Sequence, residues 1–189
     1  MNHRSNFSIL LFFLIVFSAA IQSKPVVNLS GDEHSGFQAD LIGNIDAVSG
    51  QIFQLLEAMP QDKMNWRPSD GVRSVSEVYL HIAFSNYLIM KFAGAEVPAE
   101  IAFEKMKGWD SQTLDKKEIA EILHTSFDKL KEFIKNTSDS DLEIEMEVFG
   151  MKMSRRAFFM GMHGHMHEHL GQSIAYARMN GVTPPWSKE

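Results

Sequence analysis

The sequence contains no cysteine. Disulfides, thiolate nucleophiles, zinc fingers and iron–sulfur clusters are therefore excluded, and a metal site must be built from His, Asp, Glu or water. It also has no basic patch: 18 Lys and Arg stand against 24 Asp and Glu, a formal charge of −6. That balance argues against a nucleic-acid partner. There is no internal repeat at a solenoid period. Apolar runs are short throughout except from Phe7 to Ala20, and even that run falls below the roughly 20 residues a membrane span needs.

That run has the form of a secretory leader. His3 and Arg4 give a short basic start, and small residues at Ser18 and Ala20 suit cleavage after Ala20. No cysteine follows, so a lipoprotein is excluded. Cleavage would remove Arg4 and no acid, taking the charge from −6 to −6 − 1 = −7. The expectation is an exported, periplasmic or secreted protein with no membrane span after cleavage; an uncleaved N-terminal anchor is the alternative. Residues 21–36 are polar and aperiodic and read as a linker or N-terminal arm.

From Phe37 onward the chain is long enough for one domain with a sizeable core. Phe37, Leu41, Ile45, Val48, Ile52, Leu55, Leu56 and Met59 recur at helical spacing, and Pro60 ends the run. A loop with two prolines follows. Ser74 and Glu77 then fit a capping box at the head of a second helix, which carries Val75, Val78, Ile82, Ser85 and Ile89 on one stripe and ends at Gly94. Residues 95–113 read as a long crossover. A third helix runs from Asp115 to about Asn136 on Ile119, Ile122, Leu123, Phe127, Leu130 and Ile134. Leu142 to Val148 alternates apolar and acidic residues and reads as a strand, turning at Phe149-Gly150 into a short hairpin. The last helix spans Ser154 to about Asn180, and the tail around Pro184-Pro185-Trp186 reads as extended. The expected fold is an all-α four-helix bundle with one long crossover connection and a short β-hairpin before the last helix. Such bundles build metal sites from inward-facing side chains.

Within the last helix lies the run His163-Gly-His-Met-His-Glu-His169, which holds four of the chain's eight histidines. Residues four apart share a helical face, so the run presents two stacked pairs, His163/His167 and His165/His169. Each pair can offer two nitrogens to one cation. A helical wheel puts one pair on each flank of the apolar stripe and does not choose between them. Neighbouring residues tilt the choice: Phe158, Gln172 and Tyr176 share the face of His165/His169, whereas Arg156 and Arg178 accompany His163/His167. The third imidazole is expected from His81 on the second helix. His124 reads as a surface residue. The His-Glu-x-x-His protease pattern fails because Gly171 stands where its second histidine belongs.

Four segments together carry a family resemblance: Pro60 to Pro68, Ser74 to His81, the His165-x-x-x-His169-x-Gly171-Gln172 run, and Arg178 to Trp186. In their order and spacing, across residues 37–186, the chain resembles the DinB family of four-helix proteins, which includes the YfiT-like metal-dependent hydrolases. The resemblance implies that His81, His165 and His169 are metal ligands, and imidazole donors suit a divalent ion such as Zn, Ni or Fe; His163 and His167 read as a solvated or packing face, with a second, surface metal-binding pair as the alternative. It implies either metal-dependent thiol transfer or isomerase and hydrolase chemistry on a small molecule, and a homodimer.

Three histidines leave cation positions open for substrate or water, the catalytic rather than the structural arrangement. Gln172, one turn beyond His169 on the same face, is placed to hydrogen-bond a ligand ring from behind. Glu77, one turn before His81, is either a general base or the helix cap, and the cap is the simpler reading. The expected function is an exported metalloprotein acting as a hydrolase or transferase. The competing expectation is a non-catalytic metal- or ligand-binding module.

Overall fold

The computed structural model describes residues 36–96 and 115–187. The leader, the arm up to residue 35 (with His3 and His34) and the crossover over 97–114 lie outside the described residues.

Four long helices dominate: α1 (Phe37–Ala58), α2 (Val75–Phe92), α3 (Lys116–Lys135) and, after a single helical turn α4 (Asp139–Leu142) and a hairpin of β1 (Glu145–Val148) and β2 (Met151–Ser154), α5 (Arg155–Met179). Their principal contacts run in a ring, α1 to α3, α3 to α2, α2 to α5 and α5 to α1. The consecutive helices α1 and α2 thus sit across the bundle from each other, while α2 and α5, from different halves of the chain, lie side by side.

Local chemistry explains the boundaries. Met59 takes an extended conformation (ψ 129°) and ends α1, because a residue before proline is pushed out of the helical region. At α2, the Ser74 hydroxyl accepts from the Glu77 amide at 3.3 Å, and the Glu77 carboxylate accepts from the Ser74 amide at 2.6 Å. The next free amides are satisfied by the preceding loop: Val75 donates to the Trp66 carbonyl and Ser76 to that of Met64. Trp66 in turn meets Tyr176 of α5 edge to face, at 5.4 Å between ring centres. The loop before α2 is thereby fixed against both helices.

The core runs through Leu41, Ile45, Ile52 and Leu55 of α1, Ile82 and Ile89 of α2, Leu123 and Phe127 of α3, and Phe159 and Leu170 of α5. One expectation is too narrow. Beyond its stripe, α2 also buries Tyr79, Leu80, Ala83, Tyr87 and Met90, as a helix flanked on both sides does. Its buried Asn86 donates to Ser126 of α3 at 3.1 Å.

The structure corrects two further expectations. Leu142 is not the start of a strand. Ser138 caps a helical turn by accepting from the Asp141 amide at 3.1 Å, so Leu142 is buried at the end of α4 and pairing begins at Glu145. Local capping wins over the alternating pattern there. Nor is the tail simply extended: after Gly181 (φ 75°) lets Val182 donate back to the Ala177 carbonyl, Pro185–Ser187 closes a 3₁₀ turn.

The hairpin register pairs Val148 with Met151, leaving Phe149 and Gly150 as a two-residue loop. Both have positive φ, 53° and 77°, as a type I′ turn requires. Glycine tolerates this. For phenylalanine it costs roughly 1–2 kcal/mol, and the ring is 73% exposed. Asparagine is the favoured residue at that position, so Phe149→Asn is expected to raise stability by about 0.5 kcal/mol, after the lost edge contact with Phe92 is set against the relieved strain. Thermal unfolding of the two proteins checks this.

Candidate metal centre

His81 is in the second turn of α2, and His165 and His169 are one turn apart on α5. Because α2 and α5 are neighbours, the three rings converge, and one nitrogen from each lies within 4.8 Å of the others. The ring centres of His165 and His169 are 4.4 Å apart and those of His81 and His169 4.7 Å. Ser85 of α2, which the sequence places on an apolar stripe, turns its hydroxyl between them, 3.5 Å from the Nε2 atoms of both His81 and His165.

The backs of two rings are held. His169 Nδ1 donates to the Gln172 side-chain carbonyl at 3.0 Å. The amide of Gln172 donates to the Tyr176 hydroxyl, which donates to the backbone carbonyl of Arg73, each at 3.1 Å. His165 Nδ1 is 3.3 Å from a Glu168 carboxylate oxygen. Acceptors behind both rings put the protons on Nδ1 and leave the Nε2 lone pairs pointing inward. Those two Nε2 atoms are 3.1 Å apart. Two lone pairs at that distance repel, and a shared cation removes the conflict. Tetrahedral ligands at about 2.05 Å from zinc are separated by roughly 3.3 Å, close to the spacing found. Two of the donors thus already stand at a zinc-like spacing, and with one His81 nitrogen within 4.8 Å of both, three imidazoles suit a divalent metal. Burial also holds the His169 imidazole below its ordinary range; the Gln172 bond and the Glu168 carboxylate oppose this, and positive charge at Arg73, or at His165 when protonated, adds to it. A neutral ring is the form that ligates.

The remaining candidates are elsewhere. Glu77 spends one oxygen on the Ser74 amide and the other on Arg67 at 3.0 Å, so it serves the head of α2. His163 and His167 lie on the other flank of α5, where His163 is half-buried beside the Asn44 backbone of α1 and His167 is exposed. Exposed His124 stacks on Phe53 at 3.7 Å. Sequence reasoning missed Glu168 as a support for His165, although a carboxylate three residues beyond a histidine on a helix is a readable signal. The convergence of Ser85 had no such signal.

Fold and site define a four-helix bundle with an inward-facing histidine triad on two neighbouring helices. Residues 45–173 match the DinB superfamily, and the chain belongs to it. A DinB-like protein from Bacillus cereus ATCC 10987 superposes with a TM-score of 0.64 at 20% identity, over 79% of this chain and 93% of that one. YfiT from Bacillus subtilis, described as a probable metal-dependent hydrolase with an unusual four-helix bundle topology, gives 0.58 at 17% identity, over 85% and 94%. A mycothiol-dependent maleylpyruvate isomerase gives 0.56 at 14% identity, over 71% and 59%. At such identities these likenesses establish the fold. No curated protein matches the chain.

Removing the support behind His169 tests its part in ordering the site. Gln172→Ala is expected to weaken zinc binding about 10- to 100-fold without unfolding the bundle. Competition with a chelating dye, alongside circular dichroism, measures both.

Proposed function

We propose that the chain is an exported metalloenzyme, a hydrolase or transferase acting on a small molecule at a divalent ion held by His81, His165 and His169. The observation that carries this reading is the pair of Nε2 atoms 3.1 Å apart, each on a ring backed by an acceptor. A cation so held supplies Lewis acidity to a substrate oxygen and lowers the pKa of water. The protein's own part is positioning: Gln172, Tyr176 and the Arg73 carbonyl keep His169 in one tautomer and orientation, and Glu168 does so for His165. The buried Ser85 hydroxyl, 3.5 Å from the Nε2 atoms of His81 and His165, offers a hydrogen bond between those two rings.

Hydrolysis is favoured over thiol transfer by the leader, because low-molecular-weight thiol cofactors are cytoplasmic. Among the described residues no helix is long and apolar enough to cross a membrane. The leader reading is checked by the N-terminal residue of the protein purified from its native compartment: Ile21 is expected. The metal reading is checked by elemental analysis of tag-free protein, with one equivalent per chain expected and a metal-free, chelator-indifferent protein overturning it. A panel of ester, amide and thiol-transfer substrates on the loaded protein then separates a hydrolase from a transferase, and either from a binding module.

A further inference from the structure

On α2, His81, Ser85, Leu88 and Phe92 are spaced 4, 3 and 4 apart, so they share one helical face. On α5, His169, His165, Met162 and Phe158 repeat the same spacing in the opposite direction. The helices run antiparallel: the Tyr176 hydroxyl bonds to the Arg73 carbonyl just before α2 at one end, and Phe92 meets Phe158 at the other, with 6.3 Å between ring centres. The two faces thus form a single seam. Histidines occupy one end, half-buried Leu88 and Met162 the middle, and aromatic rings the far end. From His165 to Phe158 the seam runs about 10 Å.

Phe149 closes that far end, its ring edge-on to Phe92 at 5.1 Å. It holds a left-handed backbone conformation that phenylalanine disfavours, at a turn position where asparagine is cheaper, and it is 73% exposed. Neither turn chemistry nor core burial accounts for an aromatic residue there. An outlier of this kind points to a use for the side chain.

We propose that the seam seats the apolar part of the substrate, whose polar end meets the histidines, and that Phe149 is its outer wall. The substrate class is a small molecule with a metal-binding oxygen group at one end and an alkyl or aromatic body roughly 10 Å long, the reach of about eight carbons at roughly 1.3 Å of advance per bond. Only the polar end rests on the metal-site reading; the apolar seam stands on Leu88, Phe92, Phe149, Phe158 and Met162.

The test uses zinc-loaded, tag-free protein and two hydroxamates, acetohydroxamate and octanohydroxamate, in calorimetric titrations. Octanohydroxamate is expected to bind at least tenfold more tightly. Phe149→Asn is expected to cut that preference at least threefold while keeping zinc stoichiometry and a melting temperature no lower than that of the original protein. Equal binding of the two probes, no binding of octanohydroxamate by loaded protein, or a preference unchanged by Phe149→Asn overturns the proposal. If zinc itself does not bind, the metal reading fails, and the seam is then decided on metal-free protein with anilinonaphthalenesulfonate. Weaker dye binding in Phe149→Asn supports the seam, and identical binding overturns it.

Discussion

Replacing His81 with alanine is expected to lower zinc affinity by more than about 100-fold while the bundle still folds. Losing a hydrogen-bond partner behind a ligand typically costs 10- to 100-fold, and a direct ligand sets a larger loss. After the substitution, His165 and His169 remain as a two-nitrogen pair on one helix, with Nε2 atoms 3.1 Å apart, which holds zinc only weakly. Folding is spared because His81 is half-buried at the rim of α2, whereas the core contacts of that helix come from Val78, Ile82 and Ile89. Titration against a competing chelator, together with a melting curve, reads both quantities. Unchanged affinity would remove His81 from the site.

The second large effect is on stability. Phe159, 2% exposed on α5, packs edge-on against Phe133 of α3 at 6.2 Å and beside Phe158 at 6.5 Å. Truncating a buried phenylalanine to alanine loses both the transfer energy of the ring and the packing around the cavity it leaves, about 3–5 kcal/mol. That is a large part of the 5–15 kcal/mol that typically separates folded from unfolded domains. Phe159→Ala is therefore expected to lower the melting temperature by about 10 °C. Phe159 points away from the histidine seam, so zinc affinity measured well below the transition should stay within about twofold of the original. A change in affinity as large as that from His81→Ala would place Phe159 in the site instead.

Much of this molecule is legible in the sequence, and the reasons are physical. The ends of α1 and α2 can be read because Pro60 and the Ser74–Glu77 pair act locally, through steric exclusion and capping. The stripe of α3 is clean because one face of that helix meets solvent. α2 is harder: it buries most of its circumference, so its periodicity understates its core. α5 is harder still. Its histidine pairs lie on the two flanks of the apolar stripe, His163/His167 on one and His165/His169 on the other, which is why a helical wheel alone does not choose between them. The three histidines that the DinB resemblance names are the three that the structure gathers, but the choice needs α2 beside α5, which no local pattern encodes. Leu142 misleads for the converse reason: a hydroxyl cap four residues upstream outweighs three alternations.

The diagonal placement of α1 and α2 has a thermodynamic consequence. It makes His81 and the α5 histidines neighbours only after the whole bundle has assembled, so the native triad exists only in the folded state, and the local run His163 to His169 leaves the unfolded chain a looser chelate that subtracts from the effect. A ligand that binds only the native state adds RT ln(1 + [M]/Kd) to its stability, about 2.7 kcal/mol at a free concentration of 100 Kd. With a metal held by the triad, its supply and the stability of the fold would be one linked equilibrium. In a metal-poor compartment the population at risk of proteolysis grows, and in a replete one it shrinks, with no change in any core contact.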